Sequence, residues 1–207
     1  MIKAKLGDRL DAWLQALLPF LFRRPLSPNL LTVLGTLVSL GAAVGFAFGQ
    51  FRWAGVLILA GGFFDLVDGV IARHQGTAST FGAFLDSTLD RLVDMGILLG
   101  IVMHYAGKGE PGLVLLAGYA LVVTVLVSYT KARAELVVPV LEGGLLERGE
   151  RIGLLAAGAI LGFMVPALWI VAIGATITVV QRFSLAYREM AQLDASSRRV
   201  AGAQERS

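Results

Sequence analysis

The sequence predicts an all-α integral membrane protein with six transmembrane helices and an N-terminal amphipathic interfacial helix. Three observations favour this class. Hydrophobic residues make up 56% of the 207-residue chain, and the mean hydropathy is +0.73. Only 16% of the residues are charged, compared with roughly 25% in soluble globular domains. Residues 30–49 carry no charge over 20 positions, which is enough to cross about 30 Å of hydrocarbon.

The first predicted element is an amphipathic juxtamembrane helix over residues 1–24. Leucines and Trp13 recur there at three- and four-residue steps, with charged residues between them. This pattern is typical of a helix that lies in the membrane interface, and the alternative is a soluble terminal arm. The sequence Ser27-Pro28-Asn29 then favours the start of the first span.

Four spans are predicted next. The first covers residues 30–49, and the second begins near Trp53 and must run past Asp65 and Asp68 to be long enough. The third covers about residues 82–105 and must contain four charged side chains. The fourth covers roughly residues 111–130 without a charge.

The last apolar stretch, residues 152–181, is free of charge for 30 residues, which is too long for one ordinary span. Basic residues flank both of its ends, and the positive-inside rule then places both ends on the cytoplasmic side. A hairpin of two spans divided at Pro166 satisfies that rule, whereas a single crossing does not. The six-helix domain therefore covers residues 25–190, and residues 191–207 form a polar C-terminal tail.

The basic residues support this topology. Of 18 lysines and arginines, 15 fall in the segments predicted to be cytoplasmic. Arg52 and Lys108 fall in the opposite loops, and Arg91 lies within the third span. We therefore expect a multi-pass protein of the cell membrane with both termini on the cytoplasmic side, where Asp65 and Asp68 also lie because the second span ends beside Arg73. The net charge of +3 is interpreted as contact with anionic membrane lipids, not with nucleic acid.

Four aspartates lie at the ends of two apolar runs, where a charge costs roughly 2.5–3.5 kcal/mol even on the lenient insertion scale. Asp65 and Asp68 are three residues apart and Asp86 and Asp90 are four apart, so each pair shares one helix face. The loop between them is short, which predicts antiparallel neighbouring helices and one cluster of four carboxylates. Oxygen ligands of this kind suit Mg²⁺ or Mn²⁺, and four are enough for two ions about 3.5–4 Å apart.

The neighbouring residues indicate that this metal site handles a phosphate. Gly69 follows Asp68 directly and Gly82 lies one turn before Asp86, so a ligand can approach the backbone at both places. Arg73 supplies a guanidinium fork that is suited to phosphate.

These residues together resemble the signature of the CDP-alcohol phosphotransferases. Eight defined positions match at fixed spacing, as Asp65-x2-Asp68-Gly69-x2-Ala72-Arg73-x8-Gly82-x3-Asp86-x3-Asp90. The similarity covers roughly residues 25–190 and includes Ser27-Pro28-Asn29-x-x-Thr32. The resemblance implies six helices, a homodimer, two metal ions, and a CDP-linked lipid donor that releases CMP.

The resemblance also implies individual roles. Asp65 and Asp86 would contact both ions, Asp68 one ion and Asp90 the other, and Asp90 would also accept the proton of the attacking hydroxyl. The residues implied to hold the CDP group are Gly69, Arg73 and Ser79, with Asn29, Leu30, Leu31 and Thr32 closing over it.

A set of basic residues near the ends of spans four to six could form a pocket for an acceptor that is itself a phosphate ester. They are Lys131, Arg133, Arg148, Arg151 and Arg182. This pattern is similar to that of the phosphatidylinositol-phosphate synthases, whose acceptor is inositol 1-phosphate. The alternative is that these residues are membrane anchors and ion-pair partners of Glu135, Glu147 and Glu150.

The leading hypothesis is a phosphatidyltransferase that uses CDP-diacylglycerol, with glycerol 3-phosphate or serine as alternative acceptors. A divalent-cation transporter is a hypothesis of another class, since carboxylates within a membrane also mark ion paths. A transporter should spread such groups across the membrane depth, whereas here they cluster beside Gly69 and Arg73. Asp94 continues the stripe of aspartates, and we expect it to be a structural group paired with Arg91, unless Arg91 pairs across a dimer.

Overall fold

The computed structural model describes residues 27–138, 141 and 143–204, and this part of the chain is helical without strands. Its helices are α1 (Pro28–Ala47), α2 (Phe51–His74), α3 (Thr80–Gly107), α4 (Pro111–Ala134), α5 (Arg148–Leu161) and α6 (Met164–Gln204). The all-α prediction is confirmed for the described residues. The amphipathic helix predicted over residues 1–24 lies outside them.

Four of these helices, α1, α2, α4 and α6, are long and apolar enough to cross a membrane. The helix α3 has the length but carries four charged residues from Asp86 to Asp94. The helix α5 has 14 residues and is therefore only about 21 Å long. The described residues thus form six helices where the sequence predicts six spans, and four of these helices are candidate membrane spans by length and composition.

Local chemistry explains where the helices begin. Pro28 occupies the first turn of α1, where its missing N–H leaves no hydrogen bond unmade. The Ser79 hydroxyl caps α3 by accepting a hydrogen bond from the Gly82 amide at 3.0 Å. Only residues 75–79 connect α2 to α3, so the two helices run antiparallel, as the sequence predicts.

The apolar stretch from residue 152 to 181 does form a hairpin, but the break lies at Gly162 and not at Pro166. Gly162 adopts a left-handed conformation with φ of 80°, and its amide donates to the Gly158 carbonyl. Pro166 lies in the first turn of α6, where proline is compatible with a helix. The predicted dividing point is therefore four residues too late.

The helices form a closed ring in the order α3, α1, α2, α5, α6 and α4, with α4 packing back on α3. Small residues allow the close approaches inside it. A Cβ on Gly35 of α1 would lie 2.8 Å from the Phe64 Cβ of α2, and a Cβ on Gly100 of α3 would lie 2.2 Å from the Ala43 carbonyl oxygen of α1. Because α1 is held this closely, α2 and α3 present their aspartates to each other at one end of the ring.

Gly100→Ala is expected to lower the thermal unfolding midpoint in detergent micelles, because the added Cβ forces α1 and α3 apart. Overpacking of this kind costs about 1–3 kcal/mol. Gly118→Ala in α4 is the matched control, since nothing lies within 4 Å of its Cβ position. Equal midpoints for the two variants would contradict the close α1–α3 contact.

Candidate active site

Three carboxylates converge where α2 faces α3. Asp65 and Asp68 come from α2 and Asp86 from α3, and each offers an oxygen within 4.8 Å of the oxygens of the other two. Asp68 is buried, whereas Asp65 and Asp86 are half-buried. We call these residues the aspartate triad. Its all-oxygen donor set at this spacing fits a divalent cation such as Mg²⁺ or Mn²⁺.

The first helix orients the most buried carboxylate of the triad. The Thr32 hydroxyl of α1 donates a hydrogen bond to an oxygen of Asp68. Leu31, the preceding residue, packs into a cluster with Val67, Val70 and Ile71 of α2. This apolar contact holds the two helices together and so keeps Thr32 beside Asp68.

The fourth predicted ligand, Asp90, lies outside the triad. The guanidinium of Arg148, at the start of α5, lies between Asp65 and Asp90, at 2.8 Å from an oxygen of the first and 2.9 Å from an oxygen of the second. The structure therefore brings three of the four carboxylates into one cluster and links the fourth to it through Arg148.

Asp94 lies one turn beyond Asp90 and is buried with Arg151, whose Nη2 is 3.2 Å from its Oδ2. Its other oxygen lies 3.4 Å from the Arg148 Nε. The predicted pairing of Asp94 with Arg91 is wrong, because Arg91 donates instead to the Ser87 carbonyl of its own helix. Burial of two charges needs such pairing, since an isolated charge there would be strongly destabilising.

A cavity of about 200 Å³ lies beside the triad, and we call it the motif cavity. Its lining includes the motif residues Asn29, Thr32, Asp68, Gly69, Arg73, Ser79, Gly82 and Asp86. The two glycines keep it open, because a Cβ on Gly82 would lie 3.2 Å from the Asn29 Oδ1 and one on Gly69 would lie 3.3 Å from the Arg73 Nη1. Of the predicted residues 29–32, Leu30 and Leu31 do not line it.

A second cavity, of about 250 Å³, lies on the other side of Asp86, and we call it the basic cavity. Four of the five predicted basic residues line it together with Asp90: Lys131, Arg148, Arg151 and Arg182. Arg133 is exposed and does not line it. Asp86 lines both cavities, so one carboxylate of the triad borders both spaces.

The basic residues of this cavity differ in their contact partners. Arg182 is buried and donates to the Val127 carbonyl at 2.6 Å and to the Gly143 carbonyl at 3.0 Å. Lys131 is more exposed, and its Nζ lies 3.9 Å from the Glu135 carboxylate. The sequence also allowed these basic residues to be ion-pair partners of glutamates. That alternative applies to Lys131, whereas Arg148 and Arg151 contact aspartates.

Comparison with known proteins agrees with the family that the motif residues resemble. Residues 25–188 match the family model of the CDP-alcohol phosphatidyltransferases. The phosphatidylinositol phosphate synthase of Streptomyces avermitilis is 44% identical, over 86% of this chain and 79% of that protein. The archaetidylinositol phosphate synthase of Pyrococcus horikoshii is 37% identical, over 76% and 81% respectively.

The solved structures of Mycobacterium tuberculosis phosphatidylinositol phosphate synthase are similar in fold. The structure with bound CDP-DAG superposes with a TM-score of 0.76 at 30% identity, covering 84% of this chain and 92% of that chain. The structure in complex with manganese and citrate gives a TM-score of 0.77 at 30% identity, covering 84% and 88%.

Asp86→Asn is expected to weaken Mn²⁺ binding, measured by electron paramagnetic resonance of the purified protein. Substitutions in the outer shell of metal sites alone cost about 10–100-fold in affinity, so loss of a charged ligand should cost at least about tenfold. Glu150→Gln is the control, because it removes an exposed carboxylate outside the triad. If both variants bind Mn²⁺ with the same affinity, Asp86 is not a ligand.

Proposed function

The chain belongs to the CDP-alcohol phosphatidyltransferase family, and we propose that it transfers the phosphatidyl group of CDP-diacylglycerol to a hydroxyl of inositol 1-phosphate, with release of CMP. One observation carries this proposal. The motif cavity and the basic cavity share Asp86 in their linings, so a nucleotide-linked donor and an anionic acceptor can both lie beside one carboxylate cluster.

We assign the metal site to Asp65, Asp68, Asp86 and Asp90, with two Mg²⁺ ions, or Mn²⁺, as the cofactor. The support is the spacing of the triad oxygens and the position of Asp90 one helical turn beyond Asp86. When bound, the ions neutralise the pyrophosphate of the donor and make CMP a better leaving group.

The donor is assigned to the motif cavity. Arg73 offers a fork that suits a phosphate, and Gly69 leaves backbone accessible next to Asp68. Asn29 and Thr32 enclose the cavity from α1, and Ser79 does so from the start of α3. Leu30 and Leu31 act indirectly, because Leu31 packs against α2 and so holds this end of α1 over the cavity.

The acceptor is assigned to the basic cavity, with its phosphate near Lys131, Arg148, Arg151 and Arg182 and its hydroxyl near Asp90. Asp90 accepts the hydroxyl proton as the new oxygen–phosphorus bond forms and the bond from phosphorus to the CMP oxygen breaks. Its position supports this role, since Asp90 lines the basic cavity and not the motif cavity. Arg148 holds the Asp90 carboxylate at 2.9 Å and so orients it.

We further propose that all six helices lie in the membrane and that the protein is a homodimer. The charged helix α3 packs between α1 and α4, and the short helix α5 packs between α2 and α6, so both are flanked by candidate spans. An even number of crossings puts both termini on one side. The basic residues around the aspartate end favour the cytoplasmic side.

The test is release of CMP by purified protein with CDP-diacylglycerol and Mg²⁺, with each candidate acceptor added separately. Inositol 1-phosphate should support the highest kcat/KM, because free inositol and serine have no phosphate for the basic cavity. Higher efficiency with glycerol 3-phosphate would change the acceptor but keep the family reaction. Failure of every acceptor, with active relatives as positive controls, would contradict the proposed function.

Asp90→Asn is expected to separate donor binding from chemistry. An amide cannot accept the hydroxyl proton, so kcat should fall by about 10²–10⁴-fold. The KM for CDP-diacylglycerol should rise less than in Asp86→Asn, because Asp90 lies outside the triad and does not line the motif cavity. A rise in that KM as large as the rise caused by Asp86→Asn would show that Asp90 is mainly a metal ligand.

Lys131→Ala is expected to raise the KM for inositol 1-phosphate and leave the KM for CDP-diacylglycerol unchanged. A charge-assisted contact contributes roughly 1.5–3 kcal/mol, which corresponds to about tenfold or more. Arg133→Ala is the matched control, since it removes a positive charge from the same helix but outside the basic cavity. Steady-state kinetics with both substrates measure these KM values. Equal effects of the two variants on the KM for inositol 1-phosphate would show that Lys131 is a membrane anchor.

A further inference from the structure

A further cavity lies at the opposite end of the helix ring from the aspartate triad. It has a volume of about 560 Å³ and is formed where the α1–α2 turn, the end of α3 and the α5–α6 turn meet. Arg52 on its wall precedes Asp65 by 13 residues of α2, which corresponds to about 20 Å along the helix axis. We call it the distal cavity.

The distal cavity is basic. Arg52, His104 and Lys108 line it, and none of the described residues that line it is acidic. Arg52, in the first turn of α2, and Lys108, directly after α3, are the two basic residues that the sequence predicts at this end, and both line the same cavity. Glu110 follows Lys108 by two residues in the α3–α4 loop; it lies outside the lining but close enough to Tyr105 of the lining to interact with it electrostatically. The positive-inside rule disfavours basic residues here if the triad is cytoplasmic, so their convergence points to an anionic partner.

Rigid aromatic packing and glycine turns form the wall. The His104 ring packs edge-on against Phe51, with ring centroids 4.7 Å apart. Gly49 allows this ring to approach the turn, because its φ is 76° and a Cβ there would lie 2.8 Å from the His104 Cε1. The cavity is therefore built into the junction of three helix hairpins, while the Arg52 and Lys108 side chains are exposed at its opening.

The surroundings indicate what kind of anion fits. Trp53 lies on the lining and is 71% exposed, which is the behaviour of a tryptophan at the headgroup level of a membrane. Phe48 and Leu161 are also exposed at this end, so apolar chains can lie against the protein directly beside the cationic opening. Basic pockets between transmembrane helices are known to bind the headgroups of anionic lipids.

We propose that the distal cavity binds the phosphate headgroup of an anionic phospholipid from the membrane leaflet opposite the triad. Arg52 and Lys108 contact the phosphate, Trp53 lies at the interface beside it, and the acyl chains lie against the apolar ends of α1 and α5. The proposal rests on the proposed membrane topology but not on the enzymatic function, because none of these residues lines the motif cavity or the basic cavity.

The test uses full-length protein in nanodiscs of phosphatidylcholine that contain a trace of dansyl-labelled lipid. Energy transfer from Trp53 to dansyl reports lipid at the distal cavity, and the Trp53→Phe variant gives the background from the other tryptophans. Labelled phosphatidylglycerol should bind more tightly than labelled phosphatidylcholine, and Arg52→Gln/Lys108→Gln should remove this preference. Two contacts of this kind predict a preference of about tenfold or more.

Two controls make the result specific. Arg133→Gln/Arg188→Gln removes the same charge at exposed positions outside the distal cavity and should keep the preference. The thermal unfolding midpoint of the Arg52→Gln/Lys108→Gln variant in detergent micelles should equal that of the wild type, which verifies that it folds. An equal preference in the two double variants, or no preference in the wild type, would overturn the proposal. Full displacement of the lipid by millimolar glycerol phosphate would show that the distal cavity binds a soluble phosphate ester, and would overturn the proposal of a lipid ligand.

Discussion

The need to compensate several carboxylates among apolar helices is the constraint on which the rest of the structure depends. Asp65, Asp68, Asp86, Asp90 and Asp94 lie on two adjacent helices. A metal site would neutralise the triad, but Asp94 is buried and needs protein cations. The arginines of α5 meet this need, and the packing of α5 against α2 brings Arg148 to the aspartates of both α2 and α3. The need to pair these charges therefore determines which faces of α2, α3 and α5 pack together.

The same constraint explains why small residues are concentrated between α1 and its neighbours. Carboxylates on α2 and α3 can share one cation only if their helix axes are close, and α1 sets that distance because it packs against both. Gly35 and Gly100 place the backbone of α1 in direct contact with α2 and α3. A side chain added at either glycine therefore acts on the metal site through the spacing of the helices.

Much of this arrangement could be predicted from the sequence because it depends on local periodicity. Helix positions follow from apolar runs between charges, and the triad follows from three- and four-residue spacing on two helices joined by a short loop. The contacts of Arg148 could not be predicted, since Asp65 is 83 residues away and the contact depends on how α5 packs. Arg133 lies two residues after Lys131 on α4, and residues two apart on a helix face different directions. The sequence alone therefore argues against a pocket that contains both side chains. The helix hairpin breaks at Gly162 and not at Pro166, because glycine can adopt the positive φ that ends α5, whereas proline is compatible with the first turn of α6.

The closed ring divides the binding surfaces between the two halves of the chain. Every lining residue of the motif cavity comes from α1 to α3 or the loop between α2 and α3, whereas the cationic lining of the basic cavity comes chiefly from α4 to α6. With the proposed function, the N-terminal half recognises the lipid nucleotide and the C-terminal half recognises the alcohol. A lineage of such proteins can then acquire a new headgroup chemistry by substitutions after residue 110, while the half that activates the lipid is inherited unchanged.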